Sequence, residues 1–207
     1  MGVSIHYRGR LTDIQKVKSI CDELATIAEK MNWRYTCLKE DWSKPVLSSI
    51  DDTAKGADIN GHLPLKGIAL TLHAKCEALS FFFDENGNLR DPISMVNVSA
   101  ETLQLEDAWI SAKTQFAGPD VHIWIIGLLK YLKKFYIPNL EVQDEGEYWQ
   151  SENAEILKEK MNFIDKKIAA VSEELSRVAR GHIESYSADE LATVIETLLH
   201  NKFEVED

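Results

Sequence analysis

The sequence predicts an α+β fold: a two-layer sandwich of a mostly antiparallel sheet with helices on one face, extended by a C-terminal helical hairpin. Three observations predict it. Strand-like alternation recurs through the first 150 residues with only two helical stripes among it, a density that favours antiparallel pairing over βαβ crossovers. Residues 152–180 contain neither Pro nor Gly. Charge also divides: from Asp144 to Asp207 there are 16 acidic and 7 basic residues, so this third carries −9 of the formal −11. The expected division is residues 1–150 as the sandwich and 151–207 as the hairpin.

The elements follow in order. Val3, Ile5 and Tyr7 alternate with Ser4, His6 and Arg8, which is a strand with one buried side. Thr12-Asp13-Ile14-Gln15 reads as a capping box, and Ile14, Val17, Ile20, Cys21, Leu24, Ile27, Ala28 and Met31 form one helical stripe ending at Asn32. Residues 33–38 have strand composition. Residues 39–64, broken by Pro45, Gly56, Gly61 and Pro64, read as a long loop of functional type. Ile68, Leu70 and Leu72 then alternate, and residues 78–83 are the expected hairpin partner. Asn86-Gly87 marks a second reversal, Ser94, Val96 and Val98 suggest a short strand, and residues 109–116 alternate again. Gly118-Pro119-Asp120 opens a helix that is apolar almost all round and that Pro138 stops, before a strand near residues 140–143. In the tail, Leu157, Met161, Ile164, Ile168, Val171, Leu175 and Val178 keep a heptad spacing. Gly181 closes that helix, and Ser187 to Glu190 cap a shorter one lined by Leu191, Val194, Ile195 and Leu198.

Composition bounds the function. At 207 residues, 44% hydrophobic and 28% charged, the chain has the proportions of a soluble globular protein able to build an unstapled core. Three cysteines argue against a disulfide framework and for a reducing compartment, so a cytoplasmic protein is expected. The excess of 34 acidic over 23 basic residues disfavours nucleic acid and anionic membranes as partners. No stretch is long and apolar enough to span a bilayer, and no signal-peptide layout is seen. Met1-Gly2 begins like a myristoylation signal, but His6 stands where Ser or Thr is needed.

Phosphate-binding loops, dinucleotide fingerprints, nucleophile elbows, HExxH and CxxC are all lacking, so no cofactor, metal or catalytic residue is expected. Cys21 and Cys37 are expected in the core and Cys76 in an exposed turn. Three constellations stand out. On the polar side of the sheet, His6, Arg8, His73, Lys113 and Gln115 would, as neighbours, suit an anionic ligand or proton transfer. Where Lys113 to Pro119 lead into a helix start bearing His122, backbone N–H groups and the positive dipole end favour a small anion. After the last strand, Asp144 and Glu145 with Glu147, Tyr148 and Trp149 suit a cation or a cationic partner.

The run Lys113-Thr114-Gln115-Phe116-Ala117-Gly118 leading to His122, followed by Asp144-Glu145-Gly146-Glu147-Tyr148-Trp149, resembles a group of uncharacterised conserved bacterial proteins. The resemblance spans roughly residues 1–150, excludes the helical tail, and implies a bacterial cytosolic protein without supplying an activity. The reading that follows from the residues is a non-enzymatic binding or interaction protein that self-associates through its C-terminal helices. Its alternatives are a hydrolase or transferase acting on an anionic substrate at the His6/His73/Lys113 face, and an acidic inhibitor of a basic protein partner.

Overall fold

The computed structural model describes residues 2–53, 56–99, 108–180 and 193. Within them lie nine strands and five helices: β1 (Ser4–Arg8), α1 (Val17–Lys30), β2 (Arg34–Lys39), β3 (Leu47–Thr53), β4 (Gly56–His62), β5 (Lys66–Thr71), β6 (Leu79–Phe83), β7 (Leu89–Arg90), α2 (Pro92–Ser99), β8 (Ile110–Lys113), α3 (Pro119–Phe135), β9 (Glu141–Asp144), α4 (Tyr148–Ser151) and α5 (Ala154–Arg180). The fold is α+β, and its strands form three antiparallel sheets ordered β8-β1-β9, β2-β5-β6-β7 and β3-β4.

Period-two alternation decides which side chains meet. Val3, Ile5 and Tyr7 are buried and their neighbours are not. The Tyr7 hydroxyl donates to the Ser80 carbonyl at 2.7 Å and accepts from the Ser80 N–H at 3.0 Å, which stitches β1 to β6. Burial of that hydroxyl pushes its pKa far above the ordinary phenol value. Ile20, Leu24 and Ala28 of α1 share one core with Ile68, Leu70, Phe81 and Phe83, and Ile125 and Leu129 of α3 belong to it as well. Phe82, between two residues of that face, points to the reverse side and joins Leu63, Leu65 and Val96. The three consecutive phenylalanines therefore serve two cores, one on each side of the sheet.

Several boundaries follow local chemistry. Asp13, rather than Thr12, accepts the Gln15 N–H at 3.0 Å and starts the 3-10 turn before α1. Asn32 adopts φ 55° beyond α1, and the Trp33 N–H returns to the Ala28 carbonyl at 2.8 Å, as at a left-handed helix end. Gly118 caps α3 and Pro119 occupies its first position.

Two expectations are overturned. Residues 39–64 are largely the β3–β4 hairpin rather than a loop. Its few apolar residues hid it, and Gly61 is required within it: at φ 103°, a Cβ would stand 2.1 Å from the Leu47 carbonyl oxygen. Residues 94–98 belong to α2 rather than to a strand. Asp91 accepts the Ser94 N–H at 2.9 Å and its hydroxyl at 3.2 Å, and Pro92 sits in the first turn, so capping overrode the alternation of Ser94, Val96 and Val98.

At the tail, Leu157 and Met161 are buried with Val3, and Ile123, Tyr148 and Ile164 pack around them. The first two turns of α5 thus form a small apolar cluster of their own with Val3. The turn at Gly181 and the helix expected around Leu191 to Leu198 lie outside the described residues.

Candidate functional site

The polar residues singled out by sequence fall into separate places. His6 and Arg8 lie on β1, whose neighbours are β8 and β9, so His6 faces Ser111 and Gln143 across the ladders. His73 lies beyond the end of β5, a strand of a different sheet, and is exposed, with its Nδ1 accepting the Lys75 N–H at 3.1 Å. The two histidines do not share a ladder. Glu145 accepts the Ser4 N–H at 2.7 Å and stands 3.7 Å from His6 Nε2. Lys113 reaches over Gly2, where a Cβ would meet its Cε at 2.4 Å, and its Nζ lies 5.4 Å from the Phe116 ring centre.

Four of the remaining residues form a sealed corner. Thr114, Gln115, His122 and Asp144 are buried. The Thr114 hydroxyl donates to the Val3 carbonyl at 3.1 Å and lies 2.8 Å from His122 Nδ1. A hydroxyl carries one proton, so with it on Val3 the imidazole N–H completes the second contact. His122 Nε2 stands 3.0 Å from Asp144 Oδ1, close enough for an ion pair but off the axis of a ring N–H hydrogen bond. Asp144 also accepts the Gly146 N–H at 2.7 Å and the Trp149 N–H at 2.8 Å. Burial opposes its charge, but the His122 ring and these two N–H groups outweigh it and hold its carboxyl below the usual carboxylate range. Gln115 accepts the Val3 N–H at 3.0 Å and donates to the Met161 carbonyl and Asp165 at 2.9 and 2.8 Å.

Thr, His and Asp stand here in the order of a nucleophile, a base and its orienting acid. Yet the hydroxyl is committed to Val3 and the imidazole is closed off from solvent. Gly146 lets the chain close this tightly, since a Cβ there would stand 2.6 Å from Leu157 and 3.0 Å from the His122 ring. The corner ties β1, α3, β9 and α5 together.

An open site lies on the other side of α1. In antiparallel register Lys39 opposes Lys66, Cys37 opposes Ile68, and Tyr35 opposes Leu70. Ile68 and Leu70 are covered by α1, which packs chiefly over β5, whereas β2 is the sheet edge and is almost wholly exposed. The uncovered strip is a cavity of about 630 Å³ between α1 and β2, with Val17, Cys21 and Ala25 on one wall and Cys37, Trp42 and Lys66 on the other. That volume suits a small molecule. Cys37 is thus exposed, contrary to the core placement expected for it, whereas Cys21 is half-buried and packs against the core, and that half-burial pushes its thiol up to about 11. Cys76 is half-buried as well, with its thiol also raised to about 11.

Trp42 is held from both sides. Its Nε1–H donates to the Phe83 carbonyl at 3.1 Å, and Lys66 Nζ lies 3.9 Å from its ring centre. His62 braces the preceding turn through Glu40 and the Asp41 carbonyl, both at 2.9 Å. Asp41 accepts the Ser43 N–H and hydroxyl, which hold its carboxyl below the usual range. Lys18, at the cavity's other end, pairs with Asp22. Lys39 and Lys66 form no ion pair among the described residues, although like charges set directly opposite one another on a ladder disfavour the fold. Sequence reading missed this pair because it depends on which strands become neighbours. The only local signal was a lysine at each end of two strand-like segments beside an unassigned tryptophan.

Among the described residues no group of three or more His, Cys, Asp or Glu is placed to hold a metal ion, and no helix is long and apolar enough to cross a membrane. Comparison with protein-family models, curated proteins and solved structures gives no match to this chain.

Proposed function

We propose that the chain is a non-enzymatic binding protein whose ligand is a small molecule with an apolar body and one anionic group, held between α1 and β2. The observation that carries this reading is the cross-strand Lys39–Lys66 pair, which forms no ion pair among the described residues and lines a cavity together with Trp42. An anion between the two ammonium groups relieves their repulsion, and the Val17, Cys21 and Ala25 wall takes the apolar part. The three free cysteines support a reducing, cytoplasmic setting. The apolar Ile168 and Val171, beyond the contact of α5 with Val3 and both half-buried, support self-association through the C-terminal helices.

Two probes test the ligand class. Anilinonaphthalene sulfonate carries an apolar ring system and an anion, and phenylnaphthylamine is its neutral counterpart. The sulfonate is expected to bind the native protein, and Lys39→Gln or Lys66→Gln to weaken it about five- to tenfold, in line with loss of one charge-assisted contact. The neutral probe is expected to bind both variants as it binds the native chain. No sulfonate binding, or equal weakening of both probes, overturns the reading.

A further inference from the structure

A second cavity, of about 360 Å³, lies at the far end of β1, with Arg8, Arg10, Arg90, Asn88, Asn139 and Glu141 on its walls. Three of the chain's six arginines therefore converge on one opening of a protein whose net charge is −11. The backbone explains how. Beyond Gly9, β1 runs on to an antiparallel bridge between Arg10 and Asn88, flanked by the Leu89 N–H to Gly9 carbonyl and Leu11 N–H to Gly87 carbonyl bonds at 2.9 and 2.8 Å. Alternation then sends residues 8, 10, 88 and 90 to one face.

Arg8 pairs with Glu141 at 2.8 Å and lies 4.5 Å over the Trp109 ring. Arg90 uses Nε on Asp84 at 2.9 Å, in a largely buried pair whose carboxylate is further fixed by Asn88. Arg10 has no carboxylate among the described residues: its Nε donates to the Asn86 carbonyl at 2.9 Å, and its N–H to Asn139 Oδ1 at 3.1 Å. The terminal nitrogens of Arg10 and Arg90 remain as two planar forks at one opening, anchored through their Nε atoms. Forks of this kind match the paired oxygens of a tetrahedral oxyanion better than a point charge does. Guanidinium groups gathered at one opening favour an anion among them.

We infer that this cleft is a binding site for a phosphate group, carried by a small phosphomonoester for which the cavity has room. The site is separate from the α1–β2 cavity and does not depend on it.

Inorganic phosphate and pyrophosphate are the probes, followed by calorimetry and thermal melting at ionic strength matched with chloride. Both are expected to bind the native chain and raise its melting temperature. Arg10→Ala, at an exposed position, is expected to keep the native circular dichroism and weaken binding at least tenfold. Arg10→Lys, which keeps the charge but not the fork, is expected to restore only part of it. Lys39→Gln is expected to bind phosphate as the native chain does. The site is refuted if neither probe binds, if Arg10→Ala binds normally, or if Lys113→Ala abolishes binding while Arg10→Ala leaves it intact; that last result would move the anion to the start of α3.

Discussion

At the corner where β8, α3 and β9 meet, Thr114, His122 and Asp144 are buried and every one of their charged or hydroxyl groups faces another polar atom. In the groove between α1 and β2, Lys39 and Lys66 are ladder partners that form no ion pair among the described residues. The corner holds the residues most suggestive of chemistry, yet its hydrogen bonds are spent within the chain except at His122 Nε2, which meets Asp144 without one. The groove holds a like-charge pair and unfilled apolar surface. A buried polar group that is satisfied holds a fold together, whereas an unsatisfied arrangement at a cavity mouth has room for something from outside.

The largest expected effect lies in the corner. Asp144→Ala removes the carboxylate that His122 Nε2 faces and leaves the Gly146 and Trp149 N–H groups without an acceptor. It is expected to cost about 3–5 kcal/mol, the range for breaking a buried pair from one side, in urea unfolding. A cost below about 1 kcal/mol would erase the contrast with the groove. Gly146→Ala forces a methyl against Leu157 and the His122 ring and is expected to cost about 1–3 kcal/mol, as overpacking does.

The same carboxylate has a pH signature. Its folded pKa is depressed, so its contribution is complete above the ordinary unfolded carboxylate value of about 3.9 and is lost as pH falls through the lower folded value. Asp144→Asn is therefore expected to flatten the fall of stability with acid in that window. The slope that remains belongs to other depressed carboxyls, such as Glu23, to which Tyr131 and Tyr136 donate, and Glu152, which pairs with Lys130. An unchanged acid limb in Asp144→Asn would show that the corner is not held by charge.

The smallest effect has the opposite sign. Lys39→Gln removes one of two facing ammonium groups and is expected to stabilise the fold by about 0.5 kcal/mol, the scale of a cross-strand pair. A loss of similar size would mean that the lysines are not in conflict.

The two regions also differ in how far the sequence foretold them. Alternation of Val3, Ile5 and Tyr7, the Asn86-Gly87 reversal and the Gly118-Pro119 helix start are local signals, and each lies where local chemistry puts it. His122, Gln115 and Asp144 were recognisable as unusual residues near a helix start and a strand end. That they would be sealed depends on α5 laying Leu157 and Met161 over Val3, a long-range event with no local trace. Cys37 was misplaced for a similar reason: strand composition fixes neither a strand's position in its sheet nor which strand a helix crosses. The β3–β4 hairpin escaped because periodicity registers apolar faces, and Leu47-Ser48-Ser49-Ile50-Asp51-Asp52-Thr53 has few apolar residues to register. Residues 94–98 show the converse, where an Asp-Pro cap outweighed an alternating triplet.

Alkylation of Cys37 tests most directly whether the groove takes a ligand. This thiol is exposed on the cavity wall, while half-buried Cys76 lies in a turn outside it. With iodoacetamide and peptide mass spectrometry, saturating anilinonaphthalene sulfonate is expected to slow modification of Cys37 at least fivefold and to leave Cys76 unchanged. Equal rates at Cys37 with and without the probe, or equal slowing at both cysteines, would contradict a ligand site between α1 and β2.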